Sequence, residues 1–197
     1  QPEFTQIDME VSFAVPELIY QIIEGMLKHV WKNALGIDIQ TPFLRMPYEQ
    51  AMDKYGSDKP DLRFGMEMVT ITDLVAKSGF KVFTDTAEAG GVVTALKVPN
   101  AESWSRKDID GLTQVATDNG AKGLAWFKLA ADGWQGSAAK FLTDDDKAAI
   151  AGALGAATGD MILVVADGRP AKARQALGAV RLKVGDRMGL RDPKKMS

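Results

Sequence analysis

The chain has 197 residues, 46% of them hydrophobic, and carries 24 Lys and Arg against 26 Asp and Glu for a net charge of −2. That supplies a core for one generous domain or two small ones, but the acidic balance argues against an autonomous strong binder of nucleic acid, whose phosphate-contacting surface would be basic. With no cysteine and one histidine, His29, disulfides, thiolate metal sites and multi-histidine metal sites are excluded.

The first element predicted is a strand with one wet face. Ile7, Met9, Val11 and Phe13 alternate with Gln6, Asp8, Glu10 and Ser12, the period of a half-buried strand. Gln6, Asp8 and Glu10 would project from one face roughly 6.5–7 Å apart. Such a row is either an ordinary solvent-facing sheet surface or one wall of a cleft for an ammonium group or a metal. A helix follows. Val15, Leu18, Ile19, Ile22, Ile23, Met26, Leu27, Val30, Trp31 and Ala34 recur at helical spacing. Pro16 suits its first position and Gly36 its stop. His29 falls off the stripe, beside Lys28 and Lys32, and reads as a solvated surface residue. Residues 37–53 hold Pro42, Pro47 and a short helix candidate at Tyr48–Lys54. Gly56-Ser57-Asp58-Lys59-Pro60-Asp61 then marks a turn-rich boundary between two modules. Asp58, Lys59, Asp61 and Arg63 there are either a solvated loop or an ordered polar network.

The second module alternates strands and helices. Phe80–Phe83 and Val92–Val98 read as strands around Gly90-Gly91. Ser105 and Asp108 form a capping-box-like pair for a helix carrying Ile109, Leu112, Val115 and Ala116, which stops at Asn119-Gly120. Leu124–Leu129 reads as a strand, Gly133–Gly136 as a turn before Ala138–Leu142, and Thr143 as the cap of a helix whose first turn is acidic. Met161–Ala166 is a continuous apolar run, typical of a central strand. A last helix starts near Pro170, with Ala173, Leu177, Val180, Val184 and Met188 on a buried stripe. The fold expected is α+β, with helices covering one face of a mixed sheet. No Gly-x-Gly-x-x-Gly or Gly-x-x-x-x-Gly-Lys-Ser/Thr pattern occurs, so a nucleotide-cradling loop is unsupported. Arg106, Lys107, Lys122, Lys140, Arg169, Lys172, Arg174, Arg181 and Lys183 are either contacts for RNA or, in keeping with the acidic balance, solvated charges. No run of eighteen apolar residues occurs, so no membrane-spanning helix is expected.

Two phrases fifty residues apart carry a family resemblance. QPEFTQIDMEVSF, residues 1–13, resembles the end of motif 2 of bacterial-type aspartyl-tRNA synthetases, a class II ligase family, where that motif's second strand runs back through the active site. YGSDKPDLRF, residues 55–64, is similar to the segment leading into that family's insertion, the GAD domain. Downstream, GAKGLAWFK, AKFL, GDMILVVAD and ALGAVRLKVGDRMGL resemble the body and exit helix of the same insertion. These pieces, in order and covering nearly the whole chain, make the resemblance specific.

The resemblance implies a partial class II catalytic domain over 1–63, a GAD insertion over 64–190 and a return linker over 191–197. For the parent protein it implies attack of aspartate on the α-phosphorus of ATP, with Mg²⁺, and transfer of the aspartyl group to tRNA. It implies a cytoplasmic homodimer without membrane contact. By motif alignment Gln1 matches an ATP-binding position, Asp8 a position receiving the aspartate α-ammonium, and Gln6 the lining of the same pocket. Glu10 lies one step further along that face. The motif 2 arginine with its acidic partner and the arginine-bearing motif 3 do not occur, so no catalytic residue or metal ligand is assigned here. The chain starts mid-motif and reads as a piece of a longer protein, inactive alone. Two other readings are a tRNA-contacting or domain-packing module and a subunit of the tRNA-dependent amidotransferase, whose family shares a GAD-like domain. The phrases FTQIDMEVSF and YGSDKPDLRF favour the synthetase.

Overall fold

The computed structural model describes residues 2–136 and 138–192. They fall into two compact units, Gln1–Met46 and Pro47–Ser197.

The first unit is built on one helix, α1, Pro16–Leu35. Pro16 opens it, and Gly36 closes it in a left-handed conformation (φ 71°), its N–H bonded to the Lys32 carbonyl. The apolar stripe is only partly covered. Ile19, Ile23, Met26, Leu27 and Trp31 are half-buried, while Leu18, Ile22, Val30 and Leu35 are exposed. The one buried residue of α1 is Glu24. It accepts from the Phe43 N–H at 2.9 Å and pairs with Arg45 at 2.6 Å. The Arg45 guanidinium lies 4.2 Å from the Tyr20 ring centroid. The Phe43 N–H first, then Arg45, hold the Glu24 carboxyl below its usual range, against burial. The predicted opening strand does not form: residues 2–13 carry no regular structure, with Ile7 and Phe13 fully exposed. A strand needs a neighbour for its backbone N–H and C=O groups, and no described strand pairs with this stretch.

The second unit is a five-stranded sheet between helices. Its elements are α2 (Tyr48–Tyr55), β1 (Met68–Thr70), α3 (Thr72–Val75), α4 (Lys81–Glu88), β2 (Val92–Val98), α5 (Arg106–Asp118), β3 (Ala125–Ala130), β4 (Gly133–Gln135), a 3₁₀ turn at Ala139–Phe141, α6 (Asp144–Leu154), β5 (Met161–Asp167) and α7 (Pro170–Arg187). The sheet order is β1-β2-β5-β3-β4. β5 lies at the centre, paired with β2 from Val92↔Asp167 to Val98↔Met161 and with β3 from Ala125↔Val164 to Lys128↔Met161. The expected α+β class holds. The pairing, however, is antiparallel throughout the described strands, and both faces are covered rather than one. Leu96, Val98, Met161, Leu163 and Val165 face α5 and α7, whereas Val93, Ala95, Ile162, Val164 and Phe127 face α3, α4 and α6. A strand buried on both sides reads as an unbroken apolar run, which is why β5 looked central from sequence.

Two local readings change. Phe80–Phe83 is the start of α4, not a strand, and Phe80 and Phe83 meet edge-to-face at 4.8 Å. Four residues are too few to separate a period of 2 from 3.6, and positions three apart share a helix face. Gly133–Gly136 contains β4, whose Trp134 opposes Leu129. The compact units divide after Met46, so α2 belongs to the second. The reason is that α2 and the turn behind it lie on α7. Gly56 (φ 70°) and Gly178 face each other there, and a Cβ on either would run into backbone, the Arg174 carbonyl for Gly56 and the Tyr55 carbonyl for Gly178. The Ser105–Asp108 capping box forms as read, and Thr143 caps α6 as read, with Asp146 completing a box there too.

Candidate functional site

Of the residues expected to contact substrate, Gln1 lies outside the described residues. Gln6, Asp8 and Glu10 are exposed, on the stretch that forms no strand. The alternation that would align them on one face needs a paired strand, so the chain by itself does not bring them together. His29 is exposed, as read. Among the described residues no group of three His, Asp or Glu gathers where it could hold a metal ion.

The polar centre that does form lies at the root of the second unit. There the segment running from α2 toward β1 meets the end of α7. Arg181, on α7, is 1% exposed. Its Nε donates to the Met66 carbonyl at 3.0 Å, and its Nη2 donates to the carbonyls of Asp61, Phe64 and Gly65 at 2.9, 3.0 and 2.8 Å. The guanidinium also lies 4.1 Å from the Phe64 ring centroid and 4.9 Å from that of Tyr55. Burial pushes the Arg181 pKa down, opposed by the charges of Tyr55, Asp61 and Glu67.

Asp61 is the second node. It accepts from Arg63 at both oxygens, Nε at 3.0 Å and Nη2 at 2.7 Å, and from Arg191 Nε at 3.0 Å. Arg63 Nη1 reaches the Asp192 carbonyl at 3.0 Å, and Arg191 Nη1 reaches Asp186 at 2.8 Å. The Arg63 guanidinium first, then its backbone N–H and Arg191, hold the Asp61 carboxyl well below the usual range, against burial. Beside them the Tyr55 hydroxyl donates to Glu67 at 3.0 Å and Lys54 pairs with Glu67 at 2.9 Å. Burial, then the bond to Glu67, raises the Tyr55 pKa. The outcome is a clamp: side chains from residues 54–67 and 181–191 tie the two ends of the sheet domain to each other.

Asp61 and Arg63 therefore belong to an ordered network, one of the two readings left open by the sequence, while Asp58 and Lys59 are exposed. Arg181 is the residue the sequence reading placed wrongly, among solvated cations. A signal was present: Arg181 is four residues after Leu177 and three before Val184, on the apolar stripe itself. Other cations of that group have modest partners. Arg106 pairs with Asp110 at 3.2 Å, Arg174 with Asp53 at 2.6 Å, and Arg169 approaches Asp167 at 3.7 Å. Lys107, Lys122, Lys140 and Lys183 are exposed.

Residues 83–177 match the family model of the GAD domain. That match alone does not separate a ligase from another protein carrying the domain. The rest of the chain does. It is 49% identical to an aspartate–tRNA(Asp/Asn) ligase of Anoxybacillus flavithermus over 98% of its length and 32% of the relative's. It is 45% identical to one of Moorella thermoacetica over 100% of its length and 33% of the relative's. With an aspartate–tRNA ligase of Clostridium perfringens it shares 46% identity over 96% of its length and 32% of the relative's. The similarity thus extends on both sides of the GAD domain, through residues 1–82 and 178–197.

The chain is similar to bacterial aspartate–tRNA ligases along nearly its whole length. It spans about a third of the length of the curated relatives it matches. The names of those relatives divide between tRNA(Asp/Asn) and unqualified ligases at similar identity. The GAD match begins inside α4 and ends inside α7. The clamp residues 54–67 and 181–191 lie just outside it, where the domain joins its flanking chain. Among the described residues no helix is long and apolar enough to cross a membrane.

Proposed function

We propose that this chain is the part of a cytoplasmic, homodimeric aspartate–tRNA ligase that carries the aspartate-recognising strand of the catalytic domain and the GAD insertion. The parent would join aspartate to ATP as aspartyl-adenylate and pass the aspartyl group to tRNA. The observation that carries this reading is identity of 45–49% to named ligases over 96–100% of the chain.

In this reading residues 6–13 become a strand once neighbouring strands of the catalytic sheet flank them. Gln6, Asp8 and Glu10 then share a face. The Asp8 carboxylate receives the α-ammonium of aspartate through charge-assisted hydrogen bonds, about twice as strong as neutral ones. Gln6 lines the same pocket, Gln1 lies on the ATP side, and Glu10 sits one step further along. Holding the amino acid by its ammonium fixes its carboxylate for in-line attack on ATP, and positioning of this kind is most of what phosphoryl-transfer enzymes contribute. The acids described here offer no cage for Mg²⁺, and no step is assigned to it through this chain. The isolated segment, lacking the family's arginines, is expected to be inactive.

The test is Asp8→Ala in the whole ligase. A hydrogen bond to a charged group contributes roughly 1.5–3 kcal/mol. Aspartate-dependent ATP–pyrophosphate exchange should therefore lose about 10- to 150-fold in kcat/KM for aspartate, with little change in the KM for ATP. Alanine at exposed Glu88 or Asp145 should be nearly silent. Wild-type aspartate kinetics in a folded Asp8→Ala enzyme would remove the assignment.

A further inference from the structure

We infer that the cleft between the Gly56–Asp61 turn and α7 is an anion site shaped for a phosphate group. Its volume is about 430 Å³. Lys59, Arg181 and Arg191 line it against a single carboxylate, Asp61. Asp61 is already engaged by Arg63 and Arg191, so the cleft keeps a positive excess within a chain of net charge −2.

Arg181 decides the chemistry. All four of its hydrogen bonds run from Nε and Nη2 to carbonyls. Nη1 donates none among the described residues, and Arg181 lines the cleft. A guanidinium pinned by four carbonyls cannot swing away, and it presents its remaining donors without further ordering. Neutral donors join it, Ser57 from the turn, Asn119 from the end of α5 and Gln175 from α7. Groups thus converge from three elements. That suits a tetrahedral oxyanion, which offers oxygens in several directions, better than a planar carboxylate. The floor is fixed, because Gly56 and Gly178 meet backbone to backbone beneath it.

The phosphate could belong to a small molecule or to the backbone of an RNA strand, and one experiment separates the two. The ¹⁵N-labelled 197-residue chain is titrated at constant ionic strength with sodium phosphate, and separately with a single-stranded RNA decamer. Phosphate should move the resonances of residues 57–61, 119 and 175 and saturate in the millimolar range, about 4 kcal/mol of binding. Lys59→Glu should weaken this at least tenfold. The Lys59 side chain is exposed and makes no hydrogen bond or ion pair among the described residues, so the variant keeps its fold. RNA that saturates the same resonances at lower concentration and competes with phosphate identifies the strand backbone as the source; RNA without effect there identifies a free phosphate compound. No saturable shift at these residues up to about 50 mM phosphate, or an unchanged titration in Lys59→Glu, overturns the site. Neither readout uses aspartate or ATP, so it stands or falls apart from the ligase reading.

Discussion

Arg181 spends all four of its hydrogen bonds on main-chain carbonyls. Its four carbonyl partners, at Asp61, Phe64, Gly65 and Met66, sit on a segment with no regular structure of its own. Arg181→Met would leave the buried Phe64 carbonyl and the part-buried carbonyls of Asp61, Gly65 and Met66 without this donor. The isolated chain should then lose roughly 1–3 kcal/mol of stability in urea unfolding, the range for leaving a buried acceptor unsatisfied. Arg181→Lys should recover less than half, because an ammonium cannot reproduce the planar fork. A loss under about 0.5 kcal/mol, the range of surface substitutions, would show that the clamp is ornamental. Asp61 gives the clamp a pH signature. Its carboxyl is held below the usual range in the fold by Arg63 and Arg191. A carboxyl depressed in the fold adds stability above its unfolded value, near 3.9, and loses it as pH falls toward the folded value. Unfolding free energy should therefore fall steeply below about pH 4. Asp61→Asn should flatten that slope without abolishing it, since Glu24, Glu67 and Asp108 are also depressed. An identical acid slope in the variant would contradict the network.

At the scale of elements, what the sequence made legible tracks how local the cause is. The starts of α5 and α6 were readable because Ser105–Asp108 and Thr143–Asp146 form complete capping boxes within three residues. Thr143→Ala should cost about 1 kcal/mol, visible as a lowered urea midpoint with unchanged slope, and a midpoint at the wild-type value would show the cap to be idle. β5 was readable because burial on both faces removes alternation. The start of α4 was not, because Phe80 and Phe83 are compatible with either period. The clamp was half readable. Composition marked residues 56–61 as a turn, but nothing local says that Asp61 meets Arg191, 130 residues away. For the opening stretch the local signal was strong and still insufficient. Its alternation is that of a strand, yet its partners are not among the described strands.

At the scale of the molecule the two units differ as a ligase segment would. Pro47–Ser197 contains its own sheet and two apolar clusters. Gln1–Met46 leaves Phe4, Ile7, Phe13, Val15 and Leu35 more than half exposed, surface that a larger catalytic sheet and its helices would bury. Site residues named from the resemblance lie in this unit, where the fold gives Asp8 no partner among the described residues. Hydrogen exchange at residues 6–13 tests the central claim most directly, measured in the isolated chain and in the whole ligase. These amides should exchange freely in the isolated chain, far faster than those of β5, and become protected in the whole enzyme as the stretch pairs into the catalytic sheet. Equally fast exchange in both would contradict the claim that this segment is an active-site strand awaiting its neighbours.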